Sequence, residues 1–281
     1  MKSLFFALSI SIFLPASVAA AEFSFSTKDS IAKGETFIVE VHASSVVLLN
    51  VLDGGIVFNP DYVEVTDIST GNSPFTLWPR SPVYSNSTGR IYFTGGNSSG
   101  WKGEGTVFAI VMKAKKAGLS ELFFTDKTTA YRDDGKGTLE ESVFKSYGLH
   151  IGSEVSTSNE WQEALAQDIT PPQDLRVEIG RSEHMFNNAY FISFGAIDHG
   201  TGIDHYEIQE GDQAAVITES PYVLTSPTLK ERITITAVDK AGNKKTVVQY
   251  PYAERILTET LLLILFAVVL YFAIRKRHAR F

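Results

Sequence analysis

From residue 22 to residue 152 the chain runs through one short β-type segment after another, with no helical period sustained over three turns. This pattern restricts the fold more than any other feature of the sequence. "EFSFS" alternates apolar and polar residues, and "TFIVEVHA" is β-branched and aromatic. "VVLLNVLDGGIVF", "YVEVTDI", "GRIYFTG", "GTVFAIVMKA" and "SELFFTD" come next, with Gly, Asn, Asp or Pro between them. Alternation puts successive side chains on opposite faces, so each strand has one face to bury and one to wet. Many such strands bury their apolar faces by stacking two sheets, and an all-β sandwich is expected. "TVFAIVMKA" is nearly continuous in apolar residues and predicts a central strand. In "GGIVFNPDYVEV", Pro60 presets the first central position of a tight turn between Asn59 and Asp61. The turn ends one strand sharply and sets the next at a fixed offset.

The two ends have a different character. Lys2 opens a run that is almost wholly apolar from Leu4 to Leu14, followed by Pro15 and small residues. That is the build of a secretory signal peptide over residues 1–20, cut after Ala20 or Ala21. Residues 256–274 are apolar all round, with Glu259 the only charge. As a helix rising about 1.5 Å per residue they would span about 28 Å, close to a hydrocarbon core. A buried core helix would alternate polar and apolar faces instead. Arg275, Lys276, Arg277 and Arg280 come directly after, which predicts a cytoplasmic tail at 275–281. The expectation is a single-pass protein of the cell membrane with its N-terminal domains outside, using the lipid bilayer as partner for the C-terminal transmembrane helix.

With no cysteine in 281 residues, disulfides, thiol nucleophiles and Cys-based metal sites are excluded. The folded part must then be held by hydrophobic cores of ordinary size. The formal net charge is −7 despite the basic tail, which argues against nucleic acid as a partner.

A boundary is visible at 153–169, where "GSEVSTSNEWQEALAQDITPPQ" is polar and poor in strand formers. Ser158, Trp161 and Leu165 fit either a short helix or a plain linker, and Pro171-Pro172 forces an extended start to the next segment. Residues 170–252 then carry short strands at regular spacing, among them "AYFISFGAID", "HYEIQEG" and "RITITAVDKAGN". In the turn "DKAGN", positive φ is expected at Gly242 and Asn243.

Two resemblances rest on these residues. The order "NVLDGGIVFNPDYVEVTDISTG", then "GRIYFTGGNSSGWKGEGTVFAIVMKAKKAGLSELFF", resembles cohesin domains. Phe58-Asn59-Pro60 takes the place of that family's Phe-Asp-Pro turn, with Asn for the common Asp. Gly103, Gly105, Val107, Phe108 and Ile110 match its later loop and strand. The match covers residues 22–152 and implies a cohesin-like jelly-roll β-sandwich. "ITPPQDLRVEI", "AIDHGTGIDHYEIQEG" and "ITAVDKAGNKKT" resemble bacterial immunoglobulin-like or fibronectin-like surface domains. That implies an immunoglobulin-like β-sandwich over 170–252, of a kind that commonly serves as a spacer. The fold expected from sequence is all-β, two sandwiches in series with one C-terminal transmembrane α-helix.

Candidate chemistry is sparse. "DHGTGIDH" places Asp198, His199, Asp204 and His205 within eight residues, and such groups hold Ca²⁺ or a transition metal when other segments add ligands. The alternative is a connecting loop in which Asp and Gly serve turn geometry. "YRDDGKGTLEE" offers Asp133, Asp134, Glu140 and Glu141, but without EF-hand spacing it reads as a hairpin turn. No nucleophile elbow, metalloprotease helix or phosphate-binding loop occurs, so a non-enzyme is expected. Trp78 and Trp101 lie in loop-like contexts, with Tyr84 and Tyr92 as companions. Exposed rings there would stack on a sugar or anchor a protein, whereas buried ones would close the end of the sandwich. Cohesins proper bind dockerin modules, so the resemblance implies an extracellular protein or carbohydrate partner, with a link to polysaccharide use. A passive structural component of the cell envelope is the alternative.

Overall fold

In the computed structural model the described residues are 20–226, 228–250 and Phe266. The expected signal peptide and transmembrane helix lie, but for Ala20 and Phe266, outside them. Among the described residues no helix is long and apolar enough to cross a membrane.

The first unit is built on two very long strands. β1 (Ala21–Ser26) and β2 (Ile31–Lys33) precede β3 (Thr36–Val57), a strand of 22 residues. After β4 (Val63–Ser69) and β5 (Leu77–Ser85) comes β6 (Arg90–Ala114), of 25 residues. The sequence predicts two strands in each of these long segments, and the structure joins each pair into one. Register irregularities between Val41 and His42 and between Ser45 and Val51 let β3 bend without ending. Glycines in β6, among them Gly96 and Gly103, accommodate the same bend opposite it. Each long strand therefore belongs to two layers. The first half of β3 pairs with β1 and with the last third of β6, which also holds β4. The second half of β3 pairs with the first residues of β6.

That second layer continues on both sides. β5 adds to β6, while β7 (Gly118–Phe124) and β8 (Thr129–Arg132) add to β3. The short strands β9 (Leu139–Glu140) and β10 (Ser142–Phe144) extend β8 and β1. β11 (Tyr147–Val155) joins β7 to β2. Between the layers, Phe93 meets Phe108 edge-on at 4.9 Å and Phe25 stacks on Phe124 at 4.5 Å. These rings centre a core that includes Phe23, Phe37, Leu52, Ile56 and Ile91, all fully buried. The strand predicted as central is central over its second half: residues 109–114 of β6 lie between β3 and β4.

At the corner, the Asn59 side chain accepts the N–H of Asp61 at 3.0 Å, and the Asn59 carbonyl accepts those of Tyr62 and Val63. The linker resolves into a helix, α1 (Glu160–Gln167), capped by Asn159, whose side chain accepts the N–H of Gln162. Glu160 reaches back to accept the N–H of Ile38 at 3.1 Å, so the helix start is tied to β3.

The second unit has its own core and two sheets. β12 (Gln173–Ser182), β13 (Met185–Ile197) and β16 (Tyr222–Val223) form one sheet. β14 (Ile203–Glu210), β15 (Val216–Thr218), β17 (Ile233–Asp239) and β18 (Lys244–Gln249) form the other. Ile192 and Phe194 from the first pack with Ile208, Ile235 and Ala237 from the second. Glu210 is buried here, and its carboxylate accepts hydrogen bonds from Tyr222, Thr225 and Ser226. Burial opposes its ionisation, but these donors outweigh burial and hold its pKa below the usual carboxylate range. In the last hairpin Gly242 has φ +91°, as expected. Asn243 does not share the positive φ; its amide instead bonds Asp239 and the carbonyl of Asp168.

Candidate functional site

Across β5, β6, β3 and β7 the register aligns side chains in rows, and residues directly opposite share a face. Ile91, Phe93 and Ile56 point inward and are fully buried, so their neighbours point out. One outward row is Val83, Tyr92 and Gly55. On one side lies Arg80, Thr94 and Asp53, and on the other Ser85, Arg90, Val57 and Phe123. Val83 is 53% exposed, Tyr92 43% and Phe123 42%. An added Cβ on Gly55 would stand 2.8 Å from the Ile91 carbonyl oxygen and 3.2 Å from Tyr92 Cδ1. The glycine thus leaves room for the Tyr92 ring to lie over the sheet. Beside it, a shallow recess is lined by Val57, Arg90, Phe123 and Asp126. Thr94 donates to Asp53, while among the described residues neither Arg80 nor Arg90 has a carboxylate within salt-bridge reach. The result is an apolar stripe with a free guanidinium on each side.

Trp78 and Trp101 are placed elsewhere. Both are half-buried against the core, around Phe75. Trp101 meets Phe75 edge-on at 6.2 Å, and Trp78 meets Phe108 edge-on at 6.2 Å. The Trp78 ring lies on Gly95, where any Cβ would collide with it. Their packing is that of rings closing a core, because an indole gains most by removing its large apolar area from water. Tyr84 is 42% exposed, and its hydroxyl donates to the carbonyl of Thr66 at 3.1 Å. Of the four aromatics singled out from sequence, Tyr92 alone stands in the outward row.

The His and Asp residues of "DHGTGIDH" are also dispersed. His205 bonds Asp204 at 2.6 Å and lies 3.4 Å from Glu207, which in turn accepts from Lys244. The hydrogen bond to Asp204 chiefly raises the His205 pKa. His199 is exposed. Asp198 turns the other way and joins two acids that sequence proximity does not connect with it: Asp168, just after α1, and Asp239, at the end of β17. One oxygen from each of the three lies within 4.8 Å of the others.

Asp168 Oδ2 accepts the N–H and hydroxyl of Thr201, both at 2.7 Å. Asp198 Oδ2 accepts the N–H of Gly202 at 2.7 Å and of Gly200 at 3.0 Å, and Asp239 is bonded by Asn243. Asp198 is 4% exposed, and its Oδ1 is buried without a hydrogen-bond partner. Burial pushes the Asp198 carboxyl up most strongly, and the charges of Asp168 and Asp239 push the same way, against the pull of the Gly202 and Gly200 N–H groups. At Asp168 burial also pushes up, but the bonds from Thr201 and Thr170 prevail and its pKa is lowered. The cluster sits where the two units meet. The Asn72 N–H donates to the Asp198 carbonyl at 3.2 Å, Ser69 Oγ donates to the Thr201 carbonyl at 2.6 Å, and Lys240 pairs with Asp67 at 2.7 Å. Gly71 packs so closely on Gly200 that a Cβ has no room there.

In "YRDDGKGTLEE", Asp134 accepts the N–H of Lys136 at 2.8 Å, and Gly135 and Gly137 take positive φ. Glu140 is buried and paired with Arg132. This is the hairpin turn read from the sequence.

No protein-family model matches the chain, and no curated protein sequence does. Solved structures similar to it are cohesin modules. One is the cohesin module of a family 33 glycoside hydrolase from Clostridium perfringens, with TM-score 0.41 and 11% identity, covering 48% of this chain and 98% of that one. A non-cellulosomal cohesin from the archaeon Archaeoglobus fulgidus gives TM-score 0.41 and 16% identity over 48% of this chain and 93% of that one. A type I cohesin–dockerin complex from Clostridium thermocellum gives TM-score 0.40 and 15% identity over 48% and 100%.

Proposed function

We propose that this chain is a cell-surface binding protein whose first unit docks another protein on the outward face of β5, β6, β3 and β7. The observation that carries this reading is the arrangement of that face: Val83 and Tyr92 lie between the rows of Arg80 and Arg90, Val57 and Phe123 continue the Arg90 row, and neither arginine is paired among the described residues. Docking surfaces combine an aromatic or aliphatic centre with a polar rim, and Tyr and Arg are enriched in them. The chain as a whole is acidic, at net charge −7, so two free arginines on one face select a partner with an acidic rim. A protein partner is also what the Clostridium thermocellum cohesin has in its dockerin complex, but the proposal rests on the face itself.

In this reading the second unit is an immunoglobulin-like spacer, the apolar segment 256–274 anchors the chain in the cell membrane, and residues 1–20 are the cleaved leader. The chain carries out no chemistry of its own; a link to polysaccharide use would come through the partner.

A photo-crosslinking residue placed at Tyr92 in cells tests this directly. A discrete protein adduct is expected from Tyr92 and not from the exposed Val143 on β10. Tyr92→Ala with Phe123→Ala, purified as folded protein, should lose the partner. Absence of any protein adduct, together with retardation of the wild type in gels containing a polysaccharide, would replace the protein partner with a carbohydrate.

A further inference from the structure

We propose that Asp168, Asp198 and Asp239 bind one Ca²⁺ ion at the junction of the two units, and that the ion fixes the loop 198–202 against the first unit. This inference is independent of the docking face. Three acidic side chains with one oxygen each within 4.8 Å of one another fit ligands around a common centre. Two oxygens on opposite sides of a Ca²⁺, each about 2.4 Å from it, are about 4.8 Å apart. Among the described residues no Lys, Arg or His lies within salt-bridge reach of any of the three, so the structure itself supplies no counter-charge.

A second, separate observation points to a ligand. Asp198 is 96% buried, and its Oδ1 has no hydrogen-bond partner. A buried carboxylate oxygen left unpaired is costly, and a cation satisfies it. The other Asp198 oxygen is held by the N–H groups of Gly200 and Gly202, and Thr201 and Asn243 orient Asp168 and Asp239 in the same manner. Such outer bonds preset ligands before an ion arrives.

The ligand chemistry selects the ion class. All three groups are hard carboxylate oxygens, with no histidine or sulfur, which suits Ca²⁺ or Mg²⁺ rather than zinc or copper. The carboxylates come from the end of α1, the end of β13 and the end of β17, three segments with no common geometry. Ca²⁺ accepts such irregular sets and completes its 6–8 ligands with carbonyl oxygens and water, whereas Mg²⁺ demands a near-ideal octahedron. The consequence is mechanical. The same loop that carries Asp198 touches the first unit through Asn72 and Ser69, so an ion that stiffens this loop stiffens the joint.

The test uses the full chain purified in mild detergent and stripped with EDTA. Calorimetric titration with CaCl₂ should show one ion per chain, and MgCl₂ should bind at least about tenfold more weakly, given its stricter geometry. CaCl₂ should also slow proteolysis between the two units relative to EDTA. Asp198→Asn and Asp239→Asn should each weaken Ca²⁺ binding at least about tenfold through the lost ligand charge, while Asp204→Asn, outside the cluster, leaves it unchanged. If one variant fails to fold, the other and Asp168→Asn carry the comparison. Absence of binding heat and of any change in proteolysis at 10 mM CaCl₂, roughly tenfold above the weak limit of extracellular Ca²⁺ sites, would overturn the proposal. Equal affinity for Mg²⁺ would overturn the choice of ion, and binding that survives all three substitutions would overturn the site.

Discussion

Glu35 offers the sharpest test of how the first unit is held together. Its carboxylate accepts the Ala32 N–H at 2.8 Å and is bonded by Lys28 and by the Ser158 hydroxyl from the segment leading into α1. Burial opposes ionisation, yet the Ala32, Lys28 and Ser158 bonds together bring the pKa from an ordinary 4.5 down to about 2. At about 1.36 kcal/mol per pKa unit this corresponds to roughly 3.4 kcal/mol of stability at pH 7, an upper figure because Lys28 is partly in water. A lowered native pKa means the contribution is complete above the unfolded value of 4.5 and disappears as pH falls toward 2. At pH 3 about 1.4 kcal/mol of it should remain. Glu35→Gln removes the charge but keeps the shape. Urea unfolding of a fragment 21–250, followed by tryptophan fluorescence, compares the two proteins. Trp78, Trp101 and Trp161 are the only tryptophans, and all lie in the first unit or in α1, so the signal reports this unit. The stability difference between wild type and Glu35→Gln should be about 2 kcal/mol larger at pH 7 than at pH 3. A difference that stays constant within about 0.5 kcal/mol between the two would refute the reasoning, because a charge-specific effect must titrate.

Two further substitutions test the packing, and a third serves as a control. Gly95→Val forces the Trp78 ring off the sheet, and a loss of about 2–4 kcal/mol with a red-shifted fluorescence maximum is expected; an unshifted spectrum would mean the indole is not seated there. Phe93→Ala opens a cavity beside Phe108 at the centre of the core and should cost about 3–5 kcal/mol in urea unfolding, whereas Tyr92→Ala, one residue away on the outward face, should stay within roughly 0.5 kcal/mol.

Much of the architecture is legible in the sequence because it depends on local pattern. The alternation in "EFSFS" reappears as buried Phe23 and Phe25 in β1, and "NPD" as the corner held by Asn59. What local pattern does not carry is where a strand refuses to end. The glycines in "TGGNSSGWKGEG" read as loop signals, yet here they let β6 bend from one layer into the other. The same limit hides the candidate sites. Tyr92 stands out in the sequence only as a companion of the tryptophans, since exposure depends on which neighbouring strands align with it. Asp198 draws notice there beside His199, Asp204 and His205, its neighbours along the chain. Asp168 and Asp239, separated from it by 30 and 41 positions, do not. The signals that could connect them are a lone acid after the helix and another opening the "DKAGN" turn, and each by itself reads as turn chemistry.

The sequence alone determined the mostly β character of the chain and the alternation of strands such as β1, because side-chain alternation and turn propensities act over a few residues. Only the tertiary structure decided that the tryptophans close a core, that Tyr92 lies between two arginines unpaired among the described residues, and that three distant aspartates converge on a joint. Those facts depend on register and on the packing of one unit against the other, and both are properties of the whole chain folded, not of any stretch of it.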